Sequence, residues 1–155
     1  MKRIVSIGIA AALLLWHGTT VRAAEAPATG AEAFVLYCVE TGSVVLSKQP
    51  NRRMKPASTT KLMTTLLTLE AAAKNDRTVT FTQEMTAEGS SMYLKVGEQV
   101  RLSDLAVGMM LCSGNDAANA AALTLSGSAK AFADCMNTRA GQIGLTHTHF
   151  VTSSG

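Results

Sequence analysis

The chain has 155 residues, 47% hydrophobic and 5% aromatic, a composition too apolar for a disordered tail and long enough for one domain with its own core. Of its 14 basic residues, Lys2, Arg3 and Arg22 lie in a leading stretch without an acid, so the remainder balances its 11 acidic residues. That near-neutral body excludes the broad positive footprint needed to bind nucleic acid, and no nucleic-acid partner is expected.

Lys2 and Arg3 precede an apolar run from Ile4 to Trp16, and Val21, Arg22 and Ala23 follow as a small-residue cleavage pattern. This predicts a secretory signal over 1–23. The run is shorter than the roughly 20 residues a bilayer span requires. The protein is therefore expected to be exported, to the periplasm or the outer face of the cytoplasmic membrane. Residues 24–32, rich in Ala, Pro and Gly, read as a flexible segment, and the ordered domain is expected over 33–155. Export permits disulfides, but Cys38, Cys112 and Cys135 show neither CxxC nor zinc-like spacing, and at least one must be unpaired. Their apolar surroundings predict buried free thiols, with one disulfide between two of them left open.

Ala33–Cys38 and Ser43–Ser47 flank Thr41 and Gly42 as the strands and turn of a β-hairpin. Beyond a loop carrying Pro56, the spacing of Leu62, Leu66, Leu69 and Ala73, flanked by Met63 and Leu67, predicts an amphipathic helix from about Ser58 to Lys74. Thr78–Thr82 is a short strand candidate. The polar stretch from there to about Arg101 shows no clear element. Ser103 is positioned to cap a helix running to Leu111, with Asp104 favourable in its first turn. A third helix is expected from near Asp116 to Gly127. A fourth starts at the cap Ser128, carries Ala129, Phe132, Ala133, Met136, Ala140 and Ile143 on one face, and ends at Gly144 with the apolar contact of Leu145. The last eleven residues read as a loop. Two strands followed by helices leave the hairpin short of sheet partners, so the chain is expected to be the first part of a longer domain.

Two hydroxyl motifs carry chemistry. Ser58 and Lys61 form an SxxK pair at the start of the first long helix, where i, i+3 spacing puts hydroxyl and amine side by side. Ser58, four residues before Leu62, is expected to extend the leucine stripe and to set the pair at the edge of the core. Burial and the positive end of the helix dipole both disfavour the ammonium there, pushing Lys61 toward a neutral base, while the dipole favours negative charge on the serine oxygen. A hydroxyl beside a base is what acyl transfer requires. Ser113, Gly114 and Asn115 supply a second hydroxyl and an amide on a turn between helices. Each motif alone is weak; order and export combine them.

Other signals read more plainly. Lys48, Arg52, Arg53, Lys55 and Lys61 occur without an intervening acid and read as a solvated loop, although they could attract a substrate carboxylate. His147 and His149 form an HxH pair with no third ligand close in sequence, so no metal is expected. Met109 and Met110 read as core packing.

PASTTKLMT around Ser58 and SGNDAANA around Ser113 resemble the first two active-site motifs of serine-type D-alanyl-D-alanine carboxypeptidases, the low-molecular-mass penicillin-binding proteins of the peptidase S11 family, and the similarity extends through MNTRAGQIGLTHTHFVTSSG. The resemblance implies a mixed α/β fold of the β-lactamase/transpeptidase-like type, an antiparallel sheet with a helical cluster, here truncated before the KTG strand. It implies Ser58 as nucleophile, Lys61 as its base, Ser113 as a proton relay to the departing D-alanine, and Asn115 as a substrate-binding amide. The substrate would be a peptidoglycan stem peptide, β-lactam antibiotics would acylate Ser58, and no cofactor is implied. The resemblance allows membrane association through a C-terminal anchor beyond these residues.

No lysine here is followed by Ser or Thr and then Gly, so the third motif is absent. The 155 residues alone are expected to be poorly stable and inactive. A class A β-lactamase is the nearest rival, but no carboxylate occurs from Cys135 to Gly155 to activate a deacylating water, and Gly114 replaces the Asp of that motif. A non-catalytic penicillin-binding sensor or cell-wall-binding module is the other; it has no need for all four polar residues.

Overall fold

The computed structural model describes residues 28–155. The signal expected over 1–23 lies outside them. The described chain falls into two compact units, one ending at Arg53 and one running from Met54 to Gly155.

The first unit is the expected hairpin. β1 (Phe34–Cys38) pairs antiparallel with β2 (Ser43–Lys48), and the register slips by one residue between Leu36 and Tyr37. Gly42 takes φ +66° at the turn, which a side chain would strain. Lys48 donates to the Ala31 carbonyl at 2.7 Å, and Arg52 pairs with Glu32 at 3.0 Å. Both cations are thus tied to the segment before β1.

The second unit is helical. A 3-10 turn, Ala57–Thr60, leads into α1 (Lys61–Ala72); α2 (Leu102–Leu111), α3 (Asn115–Ser126) and α4 (Ala129–Gln142) follow. Helix α3 is the centre of the bundle. Ala117, Ala118, Ala120, Ala121 and Ala122 have no exposed surface, and the absence of bulk on every side lets α1, α2 and α4 all pack against it. Two apolar clusters meet along this helix. One joins Phe81, Leu102, Leu105 and Met109 to its alanines; the other joins Met63, Phe132, Met136 and Phe150 to Ala122. Each fully buried Phe or Leu contributes about 1.5–3 kcal/mol.

The helix ends follow local rules. The Ser128 hydroxyl accepts from the Ala131 amide at 3.1 Å. Gly127 and Gly144 take φ +72° and +82°. At the end of α4 the Leu145 amide bonds the Ala140 carbonyl and the Gly144 amide bonds that of Gly141, the paired bonds of a Schellman motif.

Several expectations are corrected. The helix expected from Ser58 begins only at Lys61, because Ala57 has φ +45° and the intervening turn is 3-10. The leucine stripe faces the core only in part: Leu66 is half-buried against the second cluster, but Leu62 is 61% and Leu69 46% exposed, whereas Lys61, Met63, Thr64, Thr65 and Thr68 are buried. Thr68 bonds back to the Thr64 carbonyl at 2.7 Å. Thr64 and Thr65 lie with their hydroxyls 3.9 Å from the sulfurs of Met136 on α4 and Met109 on α2, and with its hydroxyl satisfied a threonine packs as a small branched residue. Ser103 does not cap α2; Asp76 does, accepting from the Ser103 amide at 2.9 Å and its hydroxyl at 2.6 Å. The stretch without an assigned element contains β4 (Gln99–Arg101), which pairs antiparallel with β3 (Thr78–Thr80). The three cysteines are free but not buried: Cys112 and Cys135 are exposed and Cys38 half-buried.

Asp116, on the first turn of α3, holds the loop between β3 and β4. It is buried, and its two oxygens accept from the Ser91 hydroxyl at 2.7 Å and the amides of Met92, Leu94 and Ala117 at 2.8, 3.1 and 2.8 Å. Burial pushes its carboxyl upward in pKa, and the four donors outweigh that, leaving it below the ordinary carboxylate value. A group depressed in the folded state stabilises the fold above its unfolded pKa and loses that contribution as pH falls through the folded value. Asp116→Asn presents an amide where only acceptors fit. It is expected to cost about 2–4 kcal/mol by urea unfolding at pH 7, and to flatten the acid limb of stability against pH.

Candidate active site

The two hydroxyl motifs meet at one amine. Lys61 opens α1, is 1% exposed, and its Nζ lies 3.2 Å from Ser58 Oγ, 3.4 Å from Ser113 Oγ and 3.1 Å from the Ser154 carbonyl oxygen. Ser58 itself is exposed. An accessible hydroxyl therefore stands over a buried amine. Burial alone pushes the Lys61 amine below the usual lysine value, because an ammonium loses hydration there.

Local backbone sets these positions at a cost. Ala57, just before Ser58, has φ +45°, and Ser113 itself has φ +55°. Left-handed non-glycine residues cost about 1–3 kcal/mol each and persist only where their surroundings dictate them. At Ser113 the surroundings are the end of α2, where the Gly108 carbonyl accepts from the amides of Cys112 and Gly114 at 3.2 and 3.3 Å.

Asn115 is not joined to the other three. Its amide nitrogen donates to the Glu88 carbonyl at 2.7 Å and its backbone N–H to that of Ser90 at 2.8 Å. Among the described residues its Oδ1 has no hydrogen-bond partner, so it remains an acceptor. Gly114 is tightly enclosed, so a side chain there would displace its neighbours. A Cβ there would lie 3.0 Å from Asp116 Oδ1 and 3.2 Å from the Met92 nitrogen. His147 and His149 are exposed.

Sequence reasoning missed three contributors. Thr64, one turn after Lys61, donates to the Ser153 carbonyl at 2.7 Å. Ser154 contributes through its carbonyl, which no side-chain identity could signal. Asp116 was legible as a first-turn acid, but its loop partners lie 22–25 residues upstream.

An accessible serine hydroxyl, a lysine amine weakened as an ion, and a second hydroxyl on the same nitrogen are the groups that acyl transfer by a serine–lysine pair would use. A family model described as D-alanyl-D-alanine carboxypeptidase, peptidase S11, matches residues 20–155, and the chain belongs to that family.

The chain is 37% identical over 130 residues to the D-alanyl-D-alanine carboxypeptidase DacF of Bacillus subtilis, covering 81% of this chain and 33% of that protein. It is 38% identical over 140 residues to DacA of Escherichia coli, covering 83% and 35%. It thus spans about a third of the length of these relatives. Among solved structures, that of the D-alanyl-D-alanine carboxypeptidase DacD from Francisella tularensis superposes with a TM-score of 0.80 at 35% identity, covering 94% of this chain and 36% of the other. Penicillin binding protein 5 from Haemophilus influenzae gives 0.77 at 32% identity, covering 84% and 40%. The β-lactamase/transpeptidase-like fold expected from the resemblance is the fold observed.

Proposed function

We propose that the whole protein is an exported serine-type D-alanyl-D-alanine carboxypeptidase, with residues 1–23 as its signal and 33–155 as the first part of its catalytic domain. Ser58 Oγ attacks the carbonyl carbon between the two terminal D-alanines of a peptidoglycan stem peptide. Its proton passes to Lys61 Nζ, and Ser113 carries a proton to the departing nitrogen, so that D-alanine leaves and an ester forms on Ser58. Asn115 Oδ1 accepts from the substrate's peptide group. Water then cleaves the ester and restores the hydroxyl. A β-lactam would acylate the same oxygen, and any membrane attachment would come from an anchor beyond these residues.

The observation that carries this reading is the buried Lys61 amine within hydrogen-bond reach of both serine hydroxyls. Exported β-lactamases share such a pair, but the family membership favours the carboxypeptidase. The test is to incubate the full-length gene product with a pentapeptide ending in D-Ala-D-Ala and, separately, with a labelled penicillin. Release of one D-alanine and an adduct located on the peptide containing Ser58 are expected. Labelling without D-alanine release would indicate a sensor, and rapid loss of the label with hydrolysis of the antibiotic would indicate a β-lactamase.

A further inference from the structure

Lys61 has three neighbours, and they are not equivalent. A neutral amine carries two N–H bonds and one lone pair. The Ser154 carbonyl can only accept, so it must receive an N–H; each serine hydroxyl can either donate or accept. The carbonyl at 3.1 Å therefore excludes the one orientation in which the lone pair points at neither hydroxyl. The remaining N–H and the lone pair are divided between Ser58 and Ser113, the two oxygens between which a proton must travel.

That carbonyl belongs to a loop, and side chains fix it. Thr64, fully buried on the same face of α1, donates to the Ser153 carbonyl at 2.7 Å, so that Lys61 and Thr64 grip two consecutive carbonyls from one helix. The Ser153 side chain, 3% exposed, donates to Asn119 Oδ1 of α3 at 3.1 Å. Upstream, Asn137 of α4 clamps Phe150 through both backbone groups at 2.7 and 2.8 Å.

We infer that Thr64 and Ser153 are positioning residues for the proposed reaction, holding the Ser154 carbonyl on Lys61 so that the lone pair of the amine stays between the Ser58 and Ser113 hydroxyls. This rests on the serine–lysine reading above. The ionisable groups on the packed helices are engaged elsewhere: Glu70 with Arg139, Asp104 with Arg101, Lys130 with Asp134, and Asp116 with the loop after β3. Lys74, at the far end of α1, is exposed. Proton affinity at Lys61 is then set by burial and by its three uncharged neighbours.

The experiment measures the second-order rate of acylation by a labelled penicillin across pH, with unfolding temperatures, in the full-length protein and in Thr64→Val, Thr64→Ser and Ser153→Ala. Thr64→Val keeps the shape and removes the donor. The plateau rate is expected to fall about tenfold, since small misplacements of a reacting group cost that much or more. The acid limb should move to lower pH, because the ammonium loses its carbonyl acceptor. Thr64→Ser should restore both, and Ser153→Ala should shift both in the same direction by a smaller amount. Folded variants with the wild-type plateau and limb would overturn the inference. So would a lower unfolding temperature without movement of the limb, or variants that only unfold, since either assigns these hydroxyls to stability. A wild-type protein that takes no label defeats the serine–lysine reading itself, and this inference with it.

Discussion

Ser58→Ala in the full-length protein is expected to bring covalent uptake of a labelled penicillin to background and to lower D-alanine release by about 10⁴-fold or more, the scale on which nucleophile removal acts in serine hydrolases. The fold should survive. Ser58 is exposed, and among the described residues its side-chain oxygen makes one hydrogen bond, from Lys61 at 3.2 Å, while the amine keeps the Ser154 carbonyl and Ser113. Losing one partly solvated hydrogen bond costs on the order of 1 kcal/mol, which calorimetry would record as a shift of a few degrees. The pairing of lost acylation with retained folding is the informative result. Label retained at full rate in the alanine variant would place the nucleophile elsewhere.

Lys61→Met is expected to separate chemistry from stability more sharply. Methionine approximates the length of the lysine stem and removes the amine, so proton transfer from Ser58 is lost and the acylation rate should fall about 10²–10⁴-fold. Stability has the opposite tendency, because an ammonium buried among two hydroxyls and a carbonyl is disfavoured by desolvation and a thioether is not. The sign in pH follows from the depressed amine. Between its folded pKa and the higher unfolded value, the unfolded chain binds more protons, so wild-type stability rises with pH across that window and levels off above it. Lys61→Met should lack that rise, and unfolding in urea from neutral to alkaline pH would record it. Lys61→Arg keeps a permanent charge and should be as inactive as methionine without the gain in stability. A methionine variant acylated at the wild-type rate would remove the lysine from the chemistry.

The helices of the second unit were largely legible because their signals are local. Ser128 as a cap, Gly127 and Gly144 as left-handed ends, and the buried face of Phe132, Ala133, Met136 and Ala140 on α4 all depend on residues within a few positions of one another. The orientation of α1 was not legible. Its leucines form the stronger periodic pattern, yet the threonine face is buried, because burial there depends on whether each hydroxyl finds a partner in the packed fold. The β3–β4 pairing was missed for a related reason: each strand is three residues long, too short for alternation to stand out, and Val79 and Val100 are identified as core only by each other. The cysteines were expected inside because their neighbours in sequence are apolar. Neighbours in sequence do not share a face, and Cys112 and Cys135 are exposed.

At the site the division is the same. The amino-acid sequence by itself determined which residues are candidates for chemistry: the Ser58–Lys61 spacing, the Ser113–Asn115 turn and their order, since residue type and short separation are written in the chain. Only the tertiary structure decided that Ser58 and Ser113, 55 positions apart, share one nitrogen, that Asn115 is turned to Glu88 instead, and that the third neighbour of Lys61 Nζ is a backbone carbonyl. The physical reason is that a peptide carbonyl is the same at every position. Its usefulness as an acceptor depends wholly on where the packing of α1, α3 and α4 brings it.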